Sequence, residues 1–229
     1  MANFRGHLAF SSTLGTTYGV ALAWQFGTDW ATSTLAAGLT AVGGMLPDLD
    51  SDHGVPVREL FGLAAIVVPM MFLRRLYYGW QLRDEEVLVV VGLMYLGVRY
   101  GLAFLFKRLT VHRGMFHSIP AMVIAGLATF LIYHHPDVRQ RLMLALGVML
   151  GFFSHLLLDE IYSVDLRGVK PKLNQFAGSA LKFASPSQLA TGVTYLLLLA
   201  LGFLAFLDGG SASADRMRQV SARMPQQAK

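Results

Sequence analysis

Ser154-His155-Leu156-Leu157-Leu158-Asp159 closes an apolar run over residues 141–158 whose one charged side chain is Arg141, at its start. A run of this length and polarity reads as a helix in a bilayer, where roughly 20 apolar residues span the hydrocarbon. Within a helix, positions 155 and 159 are four apart, so the two side chains share a face with Cβ atoms about 6 Å apart. An imidazole and a carboxylate at that spacing can chelate one metal ion. The plainer alternative is a helix-end histidine hydrogen-bonded to its own i+4 carboxylate.

Similar apolar runs occupy about 9–25, 31–46, 60–73, 87–106, 118–133 and 190–207. With 54% hydrophobic and 14% charged residues, and a mean hydropathy of +0.49, the chain lies outside the range of a soluble domain. The expected fold is all-α: an integral membrane bundle of six or seven helices with a metal site at one membrane face. The 60–73 run contains Pro69 and stops at Arg74-Arg75, which suggests a short, kinked or half-inserted helix. With no cysteine there is neither disulfide nor thiolate ligand, and any metal must be held by His and Asp. The net charge of +5 is spread over loops and tail, which fits anionic headgroups and topology better than nucleic acid. Ala21-Leu22-Ala23 imitates a signal-peptidase site, but Ser11, Ser12, Thr16 and Thr17 break the preceding core. One domain is expected over residues 1–207, followed by a flexible basic tail over 208–229. The long segment from Tyr162 to Ser187 interleaves Lys170, Lys172 and Lys182 with Phe176 and Phe183, the composition of an interfacial anchor or a headgroup contact.

The polar residues gather in four clusters at the ends of these runs: His7; Pro47-Asp48-Leu49-Asp50-Ser51-Asp52-His53; His112-Arg113-Gly114-Met115-Phe116-His117-Ser118; and His155 with Asp159. Each crossing reverses the side of the membrane, and threading the helices in order sends all four clusters to one face. Independent placement would do so about one time in eight, since lipid confines loops to either side. Asp48, Asp50 and Asp52 alternate, so several carboxylates converge and need a cation to offset their repulsion, although a polar capping loop has the same appearance. His112 and His117 are five apart, a poor helical match, and converge if Gly114 turns the chain. Ser118 is placed to cap the next helix. His53 reads as a solvated loop residue or a further ligand, His134 and His135 as interfacial residues of the opposite face, and Arg99 as a cation facing the bundle or a wet cavity and paired with a carboxylate.

His7, Leu46-Pro47-Asp48-Leu49-Asp50, His112-Arg113-Gly114-x-x-His117-Ser118 and Ser154-His155-Leu156-Leu157-Leu158-Asp159, in this order, resemble the YdjM-like membrane-bound metal-dependent hydrolases over residues 1 to about 185. That family is in turn distantly similar to the zinc-dependent phospholipase C and single-strand nuclease superfamily. The resemblance implies a metal-dependent phosphoester hydrolase. This chain has one His-x-x-x-Asp pair where the soluble relatives commonly have two, so one or two ions are expected in place of three.

The expected metal ligands are therefore His7, Asp48, Asp50, His112, His117, His155 and Asp159, holding Zn²⁺ or a similar divalent ion, with Asp52 taking a proton and Arg113 neutralising a phosphoryl oxygen. A phospholipid or other phosphoester is the natural substrate at that depth, and membrane lipid the natural partner. A metal-ion transporter or sensor would use the same ligands nearer the bilayer midplane, and a non-catalytic scaffold would use them as polar caps. Nine loop Lys and Arg on the site face (Arg5, Arg58, Lys107, Arg108, Arg113, Arg167, Lys170, Lys172, Lys182) against five opposite (Arg74, Arg75, Arg83, Arg139, Arg141) put the site on the cytoplasmic side of a bacterial inner membrane.

Overall fold

The computed structural model describes residues 4–50, 54–104, 115–165, 172–173 and 182–223. Among these, seven α-helices form the bundle: α1 (Phe4–Phe26), α2 (Trp30–Gly43), α3 (Gly54–Arg74), α4 (Asp84–Leu96), α5 (Ile119–Ile132), α6 (Val138–Ser163) and α7 (Gln188–Arg223). Val164–Asp165 and Lys172–Leu173 add one short antiparallel ladder. Among the described residues, three segments are long and apolar enough to cross a membrane: Phe61–Gly79, Val138–Tyr162 and Gln188–Gly209; Ile119–Ile132 is a shorter apolar helix.

The run around Pro69 differs from the half-inserted expectation. Pro69 lies fully buried inside α3, and the helix continues past Arg74 as a π-helical turn, Arg75–Gly79, long enough for a full span. Proline removes one N–H but blocks continuation only if the freed carbonyl and the ring find no room, and membrane helices accommodate both by local adjustment. The boundary at residue 207 is not a break in the backbone either, since α7 runs on through Gly209-Gly210 to Arg223. Beyond those glycines the helix is built largely from Ala, Arg, Met and Gln, good helix formers, interspersed with Ser.

The centre of the bundle is α1, α2 and α6, and glycines decide how closely they meet. Gly15 and Gly19 of α1 lie against the Ala37 and Ser33 carbonyls of α2, while Gly43 of α2 lies against the backbone of Val148 and Gly151 of α6 against the Thr40 carbonyl. Without a hydrophobic force to drive helices together in lipid, such small-residue contacts supply the packing. The apolar core continues through Leu22, Ala36, Leu39, Met71, Met143, Leu144 and Val148. Large apolar residues instead cover the outside, as at Leu88, Val89 and Leu93 of α4 and Leu196, Leu199, Phe203 and Phe206 of α7.

Two ends of the bundle are chemically distinct. At one end, Trp24, Trp30, Tyr77, Tyr78 and Trp80 are exposed near the α1–α2 and α3–α4 connections, an aromatic girdle of the kind found at headgroup level. Here Arg141, fully buried, donates to the Phe130 carbonyl and pairs with Asp208 of α7, and Arg75 donates to the Leu131 carbonyl and lies 3.7 Å from the other Asp208 oxygen. Two cations thus meet the carbonyl-rich, negative end of α5 and share one carboxylate. His134 and His135 sit at this end as expected; burial, reinforced by nearby arginines, lowers the pKa of both. None of α7's apolar span is fully buried within the protein, and Asp208 ties it to Arg75, just beyond α3, and to Arg141 of α6. Replacing Asp208 by Ala should destabilise the chain by about 1.5–3 kcal/mol, the range for hydrogen bonds to charged groups, and expose α7 to added protease; thermal melts and limited proteolysis in detergent measure both.

Candidate metal centre

At the opposite end, α1, α2 and α6 bring their polar residues together. His7 belongs to the first turns of α1, which begins at Phe4, slightly earlier than the sequence suggests. After α2 ends at Gly43, the chain turns through Gly44-Met45 into a 3-10 helix, Leu46–Asp50, which carries Asp48 to the end of α6. His155 and Asp159 lie on one face of α6, one and two turns beyond Gly151, so the close approach of Gly151 to α2 also sets their height. His117 comes from the turn before α5, whose amino end is capped by the Ser118 hydroxyl accepting from Ala121 N–H at 3.3 Å.

Three histidines and two carboxylates from four separate segments converge. His7 Nε2 is 3.3 Å from Asp159 Oδ1, and His117 Nε2 is 3.9 Å from Asp159 Oδ2. His155 Nε2 lies 3.6 Å from both Asp159 Oδ2 and Asp48 Oδ1. Two donors on one tetrahedral ion with bonds of about 2.0–2.1 Å stand about 3.3–3.5 Å apart; the 3.3 Å separation matches that spacing and the 3.6 Å pairs lie just beyond it, and all four exceed the roughly 2.7–3.2 Å of a direct hydrogen bond.

Burial sharpens the point. His155 is 0% exposed, His7 3% and Asp159 6%, whereas the Asp48 side chain is 23% exposed. Buried polar atoms are almost always hydrogen-bonded, yet among the described residues His155 Nε2 and Asp159 Oδ1, both facing the cluster, have no hydrogen-bond partner. The donor set and these orphaned atoms fit a divalent cation, and the helix-end alternative for His155 and Asp159 leaves them unexplained. Asp48, the most exposed of the five, marks the side open to water.

The His155 ring is fixed by a backbone group. Its Nδ1–H donates to the Gly44 carbonyl at 2.7 Å, which in a neutral ring leaves the lone pair on Nε2, aimed at the cluster. Reasoning from sequence missed Gly44 because a carbonyl leaves no trace in side-chain chemistry. The available signal was the spacing of small residues at helical intervals, Gly147 against Ala36 and Thr40 and, one turn on, Gly151 against Thr40 and Gly44.

Of the seven expected ligands, the structure brings His7, Asp48, His117, His155 and Asp159 together. Asp50 lies in the same 3-10 turn, two residues after Asp48. His112, together with Asp52, His53 and Arg113, lies outside the described residues.

Fold and site define a helical membrane protein with a buried histidine–carboxylate cluster at one end of its bundle. Residues 1–213 match the YdjM inner membrane protein family, and the chain belongs to it. No curated protein and no solved structure gives a significant match.

Proposed function

We propose that the chain is a membrane-embedded, metal-dependent hydrolase acting on a phosphoester, with a lipid phosphoester as the natural substrate class. The observation that carries this reading is the convergence of three histidines and two aspartates at the end of the bundle, His7, His155 and Asp159 buried and Asp48 partly open to water, with His155 Nε2 and Asp159 Oδ1 lacking a hydrogen-bond partner. A divalent ion such as Zn²⁺, when bound, supplies a Lewis acid and a water whose pKa falls to about 7. His117, His155, Asp48 and Asp159 would hold it. The chain's other contributions are positional: the Gly44 carbonyl orients His155, Asp48 opens toward water, and the apolar bundle excludes water from the remaining sides. Asp52 is assigned to accept a proton and Arg113 to neutralise a phosphoryl oxygen.

We place this face on the cytoplasmic side by its larger count of loop Lys and Arg, nine against five.

Metal analysis of detergent-purified protein, followed by assay of phospholipid and of a generic phosphodiester, tests the reading. Stoichiometric zinc together with hydrolysis is the expected result. Zinc without hydrolysis of either substrate would favour a transporter or sensor, and absence of bound metal after zinc loading would leave a scaffold.

A further inference from the structure

The charges at the aromatic end of the bundle do not balance. Three guanidiniums meet there, Arg74 and Arg75 where α3 passes into its π-helical turn and Arg141 at the start of α6. Among the described residues only one carboxylate pairs with them: Asp208 of α7, bonded to Arg141 and 3.7 Å from Arg75. Three further acids at this end are committed elsewhere, Asp29 accepting from Thr32 N–H, Asp137 from Arg139 N–H, and Glu86 pairing with Arg83. Arg74 is exposed, 5.4 Å from the Tyr78 ring centroid, and makes no ion pair among the described residues.

His134 lies in the field of all three arginines and of Asp208. Burial and the arginines lower its pKa, so the ring adds no charge at neutral pH. An excess of cations beside a low-dielectric interior is costly unless an anion offsets it. The chain also leaves polar atoms over here, since Arg141 Nη1 and His134 Nδ1 are buried with no hydrogen-bond partner among the described residues.

The surroundings set the depth. Tyr77, Tyr78 and Trp80 are exposed just after Arg75, at the level where such rings meet headgroups. Arg75 Nη1 donates to the Leu131 carbonyl at 3.0 Å while 29% of the side chain stays exposed, so the guanidinium is held in place and still open on one side. We infer that Arg74 and Arg75 form a binding site for a phosphate group, with Asp208 steadying Arg75 and Arg141 adding to the positive field. A guanidinium presents a planar fork of N–H donors to two phosphate oxygens, and a second arginine takes the rest. A lipid phosphodiester and free phosphate share that chemistry. The site uses none of the metal-centre residues, so it stands or falls independently of them.

Melting temperature of the full chain in a neutral detergent, titrated with phosphatidylglycerol, phosphatidylcholine or inorganic phosphate, tests the site. Saturable stabilisation of the wild type by phosphatidylglycerol, inorganic phosphate or both is expected, because a ligand bound only to the folded state raises its stability. Arg74→Gln should weaken that binding by about tenfold or more, as for loss of a hydrogen bond to a charged group. Arg139→Gln should leave it unchanged, since Arg139 is an exposed arginine of the same end that donates instead to the Phe26 carbonyl. Phosphatidylglycerol acting alone identifies the group as a lipid headgroup, and inorganic phosphate acting as strongly identifies a soluble anion. No saturable response, or equal weakening in the two variants, overturns the inference. Equal stabilisation by phosphatidylcholine also overturns it, because a zwitterionic lipid would then be acting through its tails. Should Arg74→Gln fail to fold, native mass spectrometry of the wild type decides: one phosphatidylglycerol or phosphate retained per chain supports the site, and none or an open-ended series of adducts overturns it.

Discussion

Asp159→Asn should lower zinc affinity by more than about 100-fold, because even outer partners of metal ligands cost 10–100-fold when removed and this carboxylate faces every histidine of the cluster. The substitution keeps the size of the side chain and removes its charge, so the inserted fold should survive. Zinc content and size-exclusion profiles measured on the same preparation check both halves of the expectation. Normal zinc in a well-folded Asp159→Asn protein would remove Asp159 from the centre. A loss of folded protein with zinc unchanged in the remainder would return the His155–Asp159 pair to a purely structural role.

Among the described glycines, Gly151→Ala should be the most damaging single-methyl addition. A Cβ at this position would overlap the Thr40 carbonyl oxygen and crowd Gly44 N, and neither backbone can retreat without opening the α2–α6 contact. Overpacking costs about 1–3 kcal/mol where side chains can shift, and a clash with backbone should reach at least the top of that range. The effect should extend to metal binding, since His155 is one turn from Gly151 and its ring is held by Gly44. Gly38→Ala in α2 provides the contrast: nothing lies within 4 Å of its added Cβ, and relief of glycine's helical penalty should leave stability unchanged or raised by up to about 1 kcal/mol. Equal melting temperatures for the two variants would show that close packing of α2 on α6 does not limit stability.

The residue pattern alone determined the all-helical membrane class and the approximate positions of the helices, since apolar runs in lipid have no other way to satisfy their backbone groups. It also determined that His7, Asp48, His117, His155 and Asp159 would share one end, because alternating crossings leave only two sides to choose from. Ser118 as a cap and His134-His135 as residues of the opposite end followed from the same local logic. Other features depended on contacts between segments far apart in the chain. The uninterrupted helix through Pro69, the pairing of Asp208 with Arg75 and Arg141, and the grip of the Gly44 carbonyl on His155 require partners separated by up to 133 positions, a distance no local periodicity encodes. Ring orientation was beyond the sequence altogether. Whether His7 lies across His155 or beside it depends on how closely α1 and α6 each pack against α2, and glycine contacts measured in tenths of an ångström set that distance.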